Sequence, residues 1–358
     1  MTPGSNTAAA VRSYQRATSL LRREPRPPFR HRGAGCARRH FPERLLSLTD
    51  GIQSALNPQG PHAAVIAEIA ALLFAGGALI FVGVMAIVAI AVFAPREVAG
   101  RLRESWLIVG GGIVFPLVVL TLLLVYSLAR ASALAPAGGE NTLRIEVTGE
   151  QWWWRVRYLD RAGRPDFVTA NEVRIPVGRT VELALSSGDV IHSFWVPALA
   201  GKLDMIPGRT TRLQIRADRA GEYRGQCAEY CGGPHAFMAF FVVAETPDRF
   251  EAWAEEQRQP AKPAAGGAHA RGGELFLAHC AACHAVRGTP AEGERGPDLT
   301  HVGSRRTLAA GLLPNNAGTL AGWVASSQRI KPGNLMPSFQ AFGGEDLRAL
   351  AGYLESLK

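Results

Sequence analysis

Four of the five cysteines in this sequence fall into two close pairs, Cys227 with Cys231 and Cys280 with Cys283, each with a histidine nearby. Thiols and imidazoles at such spacing suit metal or haem chemistry better than a disulfide scaffold, which needs more cysteines in a smaller chain. The fifth, Cys36, stands alone in an Arg-rich stretch and reads as incidental.

Cys280-Ala-Ala-Cys283-His284 is a C-x-x-C-H sequence. Its two thiols can add to the vinyl groups of a haem, and the adjacent imidazole can be an axial ligand. A zinc site or a redox dithiol is the competing use of the pair. A haem that only transfers electrons needs a sixth ligand, for which Met336, His279 and His301 are candidates. Met336, in the loop Asn334-Leu-Met-Pro-Ser-Phe339, is favoured because a thioether raises the haem potential, which suits delivery toward an oxidant. His301 reads as an exposed loop residue.

The stretch Gly221–Met238 offers two thiols, Cys227 and Cys231, with the His235 imidazole and the Met238 thioether; His192 lies upstream on an expected strand. Such soft-to-borderline donors select copper over magnesium or calcium. A single blue-copper site uses one Cys, two His and a weak axial Met, so a second Cys is one too many. Two bridging thiolates can instead hold two copper ions, each finished by one imidazole, His192 or His235, and one weak ligand, Met238 or the Glu229 carbonyl. Structural zinc with two Cys and two His competes, but leaves Met238 without a role.

The elements that must position these groups follow from hydrophobic patterning. Two apolar runs, at about residues 63–94 and 106–129, exceed the roughly 20 residues needed to cross a bilayer. The short linker between them makes an antiparallel hairpin with both flanks on one side of the membrane. Glu68 inside the first run is costly in lipid and is expected to face a partner subunit. Residues 141–245 alternate short Val/Ile/Leu/Thr-rich runs with turn residues, the pattern of an all-β sandwich or barrel. Seven strands are expected there, at 142–148, 153–159, 172–176, 180–186, 190–196, 211–215 and 239–243. Residues 248–257 form a short helical tail. A Pro/Ala/Gly linker separates this region from a small helical domain, with helices at about 273–283, 320–327 and 345–357.

The expected organisation is therefore a disordered Arg-rich stretch over 1–60, a membrane hairpin over 61–132, a β-domain over 140–257, a linker over 258–271 and a helical domain over 272–358. The 358 residues carry a net charge of +9, with much of the excess in the first 45 residues. That balance says little about the folded body and does not indicate a nucleic-acid partner. By positive-inside counting the Arg-rich start places both termini in the cytoplasm, whereas covalent haem attachment requires the outer compartment. The haem and copper chemistry is the stronger signal, and residues 1–45 are expected to be removed or to precede the true start.

From about residue 50 to residue 358 the chain resembles subunit II of cytochrome c oxidases, in the long caa3-type version with a fused cytochrome. His192-Ser-Phe-Trp-Val-Pro, Asp204-Met-Ile-Pro-Gly-Arg209 and Cys227-x-Glu-x-Cys-x3-His-x2-Met238 carry the resemblance. The last domain is similar to class I cytochromes c, with Gly296-Pro297 resembling the loop that packs on the proximal histidine, although its middle at residues 312–318 is longer and rich in Gly, Pro and Asn. The resemblance implies a multidomain membrane protein: a two-helix transmembrane hairpin, a cupredoxin-like all-β Greek-key domain and an all-α class I cytochrome c domain. It implies a copper A centre held by His192, Cys227, Glu229, Cys231, His235 and Met238, and haem c on Cys280, Cys283, His284 and Met336. A magnesium site shared with subunit I is implied at the Glu229 side chain, electron input at Trp152 within Gln151-Trp-Trp-Trp154, and a proton-pathway role for Glu104, which here sits two residues before Trp106 rather than three. The implied partners are oxidase subunits I and III and a soluble cytochrome c, and the implied location is the bacterial inner membrane with both redox domains outside. Oxygen reduction coupled to proton pumping would take place in subunit I. A membrane-tethered carrier without an oxidase, and the electron-transfer part of a nitrous oxide or nitric oxide reductase, are the rival readings.

Overall fold

The computed structural model describes residues 51–102, 105–132, 142–262 and 266–358. Cys36, Glu104 and the first fifty residues, where most of the expected disorder falls, lie outside the described residues. Residues 51–60 depart from that expectation. The Gln59 amide donates to the Ala198 carbonyl (2.7 Å) and the Arg224 amide to the Ile52 carbonyl (2.9 Å), while the Arg224 guanidinium reaches Gln53 Oε1 (2.7 Å). This stretch has no apolar periodicity, so its order comes from the β-domain against which it lies.

Two helices, α1 (Pro61–Phe93) and α2 (Ser105–Ser132), are long and apolar enough to cross a membrane. At 1.5 Å per residue both exceed a hydrocarbon core of about 30 Å. Large apolar side chains face outward all along them, Leu79 and Phe81 among them. Winding in α2 relaxes to a π-helical turn over Gly110–Val114, just before Pro116, which has no N–H to give the carbonyl four residues earlier. Glu68, expected to face a partner subunit, keeps a side chain 48% exposed. It is satisfied within the hairpin, accepting from the Tyr126 hydroxyl (2.7 Å) and the Arg130 guanidinium, because its position on α1 faces the last turns of α2.

The β-domain has ten strands: β1 (Leu143–Glu150), β2 (Trp153–Leu159), β3 (Pro165–Ala170), β4 (Glu172–Pro176), β5 (Val181–Ser187), β6 (His192–Trp195), β7 (Leu203–Met205), β8 (Thr211–Ile215), β9 (Gly221–Cys227) and β10 (Ala239–Glu245). They form two five-stranded sheets, ordered β3-β2-β1-β5-β8 and β4-β10-β9-β6-β7. Alternate residues point into the space between the sheets, so Ile145, Val147, Trp154, Val156 and Phe194 share one core. The Trp154 ring meets Phe194 and Phe240 edge-on, with centroids 5.8 and 4.9 Å away. This is the expected cupredoxin-like all-β domain. Strands β3, β7 and β9 escape the sequence pattern. In β9 the buried positions are Tyr223, Gly225 and Cys227, and a Cβ on Gly225 would lie 2.1 Å from the Phe240 ring. The missing side chain that hides this strand from hydropathy is what lets Phe240 lie across it. Helix α3 (Pro247–Arg258) closes one end, Trp253 packing on Tyr158 and Phe167 at 5.4 and 5.5 Å.

The C-terminal domain is built on α4 (Gly267–His279), α5 (Ala317–Ile330) and α6 (Gly344–Ser356). Phe276, Leu350, Leu354 and Leu357 form the centre of its core. Asn316 caps α5 by accepting from the Thr319 amide at 3.0 Å, and Thr319 answers by accepting from the Asn316 amide. Helix α4 starts inside the stretch expected to be linker. Before it, the Ala261 amide donates to the Arg287 carbonyl at 2.9 Å, tying the described start of the linker to the C-terminal domain.

Candidate functional site

Strand register brings the copper-type ligands together. Phe194 on β6 pairs with Cys227 on β9, so His192, two residues earlier on the same face, overhangs the loop that follows Cys227. That loop turns back at once, with the Cys227 amide donating to the Met238 carbonyl at 2.9 Å. His192, Cys227, Cys231 and Met238 are all buried. Cys227 Sγ lies 3.8 Å from Cys231 Sγ and 3.8 Å from His192 Nδ1. Cys231 Sγ lies 3.4 Å from His235 Nδ1 and 3.8 Å from Met238 Sδ. The Glu229 carbonyl is 3.2 Å from Cys227 Sγ. The six donors expected from the sequence thus converge on one small volume, with two sulfurs at its centre and one imidazole toward each side, a set that fits soft metal ions bridged by thiolates. The Cys227 thiol is held far below the usual thiol range, first because the Cys231 thiol beside it donates to its sulfur, against the opposing effect of burial, and Cys231 is pushed up in turn. A thiolate is thus available where a metal needs one.

A carboxylate the sequence reading passed over completes this arrangement. Asp189 Oδ1 bonds His192 Nε2 at 2.8 Å, leaving Nδ1 to face Cys227. Asp189 Oδ2 also accepts from the Gln151 amide at 2.7 Å. The Asp-x-x-His spacing was visible, but only the fold shows that it orients a ring. The Glu229 side chain points away from the sulfurs and meets Lys202 Nζ at 3.4 Å, which also lies 3.3 Å from Asp204.

The second cluster lines a cavity of about 450 Å³ where the C-terminal domain meets the β-domain, walled by Cys280, Cys283, His284 and Met336 on one side and by Trp152 and Asn171 on the other. That volume is within the roughly 300–1,000 Å³ of small-molecule sites. His284 Nδ1 bonds the Pro297 carbonyl at 2.7 Å, which fixes the ring and leaves Nε2 for a metal. Burial pushes the His284 pKa down and keeps the imidazole neutral. Burial also pushes the Cys280 thiol up to about 11. Gly296 lies so close that a Cβ there would sit 2.5 Å from His284 Cε1. Arg305 lines the same cavity, and its buried Nε has no partner among the described residues, which fits an anionic group inside. Both C-x-x-C-H thiols, an oriented neutral imidazole, a thioether and an orphaned guanidinium nitrogen together fit a haem. His279 also lines the cavity but packs against the Phe342 ring at 5.0 Å. His301 is not the exposed loop residue expected. It is buried, with Nε2 bonded to the Gln259 carbonyl at 3.1 Å, because the segment after α3 lies over it.

The three tryptophans separate as the turn before β2 dictates. Trp154 enters the core, and Trp153 lies under the Arg155 guanidinium at 4.8 Å. Trp152 precedes the strand, lines the haem-type cavity and donates its indole N–H to the Cys231 carbonyl at 2.8 Å. It therefore belongs to both sites at once.

Residues 143–245 match the family described as cytochrome c oxidase subunit II, periplasmic domain, and residues 269–358 match cytochrome c. A cytochrome c oxidase subunit 2 of Alkalihalophilus pseudofirmus is 35% identical over 335 residues, covering 85% of this chain and 91% of that protein. The chain belongs to the cytochrome c oxidase subunit 2 family. Another cytochrome c oxidase subunit 2, from Bacillus sp. (strain PS3), is 32% identical over 278 residues, covering 74% of this chain and 77% of its own. The solved periplasmic domain of subunit II of the cytochrome oxidase of Bradyrhizobium japonicum shares 32% identity, covers 32% of this chain and 93% of that one, and superposes with a TM-score of 0.31. As a cytochrome c oxidase subunit 2 with a cytochrome c domain, the chain is a subunit of a haem-copper oxidase, associates with other oxidase subunits, and carries copper and haem c. Its two apolar helices make it a membrane protein with a periplasmic-type domain.

Proposed function

We propose that this chain is the electron-input subunit of its oxidase, passing electrons from a soluble cytochrome c to haem c, then to a two-copper copper A centre, and on to subunit I for oxygen reduction coupled to proton pumping. The observation that carries this reading is the position of Trp152, which lines the haem-type cavity and bonds Cys231 in the copper loop.

In this reading Cys280 and Cys283 would attach the haem and His284 and Met336 would bind its iron. His192, Cys227, the Glu229 carbonyl, Cys231, His235 and Met238 hold the two coppers. When bound, the two cofactors each accept and release one electron. The protein's own work is geometric and electrostatic. Pro297 and Asp189 fix the two imidazoles, the sandwich core keeps water from the sulfurs, and Trp152 fills the space between the sites. With one side of Trp152 against the haem cavity, an outside donor would deliver to the haem first.

The Glu229 carboxylate, with Asp204 and Lys202 beside it, is the place for the magnesium ion shared with subunit I. The hairpin over 61–132 would lie in the bacterial inner membrane beside subunits I and III. The copper domain over 140–257 and the cytochrome domain over 272–358, joined by residues 258–271, would lie on the periplasmic side. Metal and haem analysis with EPR of the purified complex tests this reading. Two coppers and one haem c per subunit are expected, with hyperfine structure from two equivalent copper nuclei. A single-copper signal overturns it.

A further inference from the structure

Where the cytochrome domain meets the copper loop, one lysine is buried. Lys331 follows α5 in Lys331-Pro-Gly, a sequence that reads as an exposed turn, yet only 2% of its surface is accessible. Its Nζ donates to the Trp152 carbonyl at 2.6 Å, the Phe237 carbonyl at 2.8 Å and the Ala309 carbonyl at 3.1 Å. An ammonium has three N–H bonds and no acceptor, and all three are used. Two of the acceptors belong to the copper domain and one to the cytochrome. Among the described residues Lys331 forms no ion pair with a carboxylate. Burial without a counter-charge is costly, and it pushes the lysine pKa down to about 7.

The cytochrome side of this contact is strained as well. Ala309 and Ala310 both adopt left-handed backbone, with φ of 54° and 64°, and Gly311 continues at 78°. Such conformations cost energy for a residue with a Cβ and persist where the surroundings over-determine them. Here the turn aims two successive carbonyls at the interface. The Ala309 carbonyl takes Lys331, and the Ala310 carbonyl accepts from the Ala239 amide at 3.0 Å, the residue after Met238. The Arg306 amide also donates to the buried Glu172 carboxylate at 3.1 Å, and the Arg287 guanidinium to the Gln257 carbonyl, but neither lies on the copper loop; two further side-chain contacts are different in kind. Arg306 pairs with Glu222, both about 40% exposed, and the Arg155 guanidinium donates to the Glu294 carbonyl at 2.7 Å in an exposed position. Exposed charge pairs contribute little and weaken with salt.

We propose that Lys331 and the left-handed turn at 309–311 form a latch that holds the cytochrome domain in register on the copper loop, making Lys331 a positioning residue for electron transfer within the chain. The latch grips both ends of the short path between the sites, the Trp152 backbone at the haem cavity and the Phe237–Ala239 backbone beside Met238. Backbone carbonyls cannot swing away as side-chain partners can, so the contact sets a position rather than a general attraction. This inference rests on the proposed transfer from haem c through Trp152 to copper.

The test uses the purified oxidase complex, with haem c reduced by a laser-excited ruthenium dye and the haem and copper absorbances followed in time. Lys331→Met keeps the buried stem and removes the three donors. The haem potential and copper EPR signal should stay as in the unaltered complex. The intrachain rate should fall by roughly tenfold or more, a barrier change of about 1.4 kcal/mol, and become sensitive to salt and viscosity. Lys331→Arg should not restore it, since a planar fork cannot place donors on these three carbonyls. Arg306→Gln, at the exposed pair, should leave the rate unchanged. A Lys331→Met complex that transfers at the original, salt-independent rate overturns the latch while leaving the functional reading intact. Absence of intrachain transfer in the unaltered complex overturns both. If Lys331→Met does not assemble, reductive methylation of the unaltered complex decides. Lys262, exposed in the linker, should be modified while Lys331 is protected, and equal modification of the two overturns the proposal.

Discussion

The indole N–H of Trp152 donates to the carbonyl of Cys231 at 2.8 Å. The same ring is part of the wall of the cavity that holds Cys280, Cys283 and His284. One side chain thus touches the two places where this chain can hold a redox centre, and it does so by a hydrogen bond to the Cys231 backbone rather than by packing alone.

Trp152→Phe tests that link. The ring volume is partly kept and the N–H is lost, while Gln151 still donates to the same carbonyl at 2.8 Å. The β-domain should lose about 0.5–1.5 kcal/mol, the worth of one hydrogen bond. The copper EPR signal should be little changed, and electron arrival at copper, followed by flash photolysis, should slow by roughly tenfold.

Asp189→Asn addresses the orientation of the His192 ring, a proposed copper ligand. The carboxylate that fixes the His192 tautomer becomes an amide that can present its N–H to Nε2. Copper affinity, measured by competition with a chelator, should weaken by about 10–100-fold. The haem spectrum should not change, because the C-x-x-C-H cluster lies in the other domain.

Gly296→Ala places a methyl group 2.5 Å from the His284 ring. The ring must move or the loop must open, and overpacking of this kind costs about 1–3 kcal/mol. The expected readouts are a lower melting temperature of the cytochrome domain and a loss of the low-spin haem absorption bands.

Met336→Leu removes a sulfur while keeping a side chain of similar size at the cavity wall. A haem that loses a thioether ligand should show high-spin absorption and a lower midpoint potential in a redox titration. Covalent attachment through Cys280 and Cys283 should persist, visible as haem staining on a denaturing gel. An unchanged potential would remove Met336 from the ligand set.

Much of the fold was legible because it rests on local periodicity. Both membrane helices, the helical tail and seven of the ten strands follow from apolar runs and alternation. The exceptions have physical causes. Strand β9 presents Gly225 at an inward position where alternation calls for a core side chain, since the Phe240 ring already fills that space. The hydrogen-bond partners of Glu68, Tyr126 and Arg130, were not legible because they lie on the far helix of the hairpin. His301 read as a surface residue because polar side chains in turns usually are exposed, and only packing against the segment after α3 buries it; the burial of Lys331 between the domains left no mark in the sequence either.

The sequence by itself determined which chemistry is available. Thiols, imidazoles and thioethers at fixed spacing name soft-metal and haem sites, and two long apolar runs name a membrane hairpin. These are properties of residue type and short separation, which the covalent chain preserves in any conformation. Only the tertiary structure decided how the sites relate. The pairing of β6 with β9 brings His192 over the copper loop, and the docking of the cytochrome places its cavity against Trp152 and its lysine under three carbonyls. Those contacts join residues up to 179 positions apart. They depend on sheet register and on surface complementarity between separately folded parts, neither of which leaves a periodic trace along the chain.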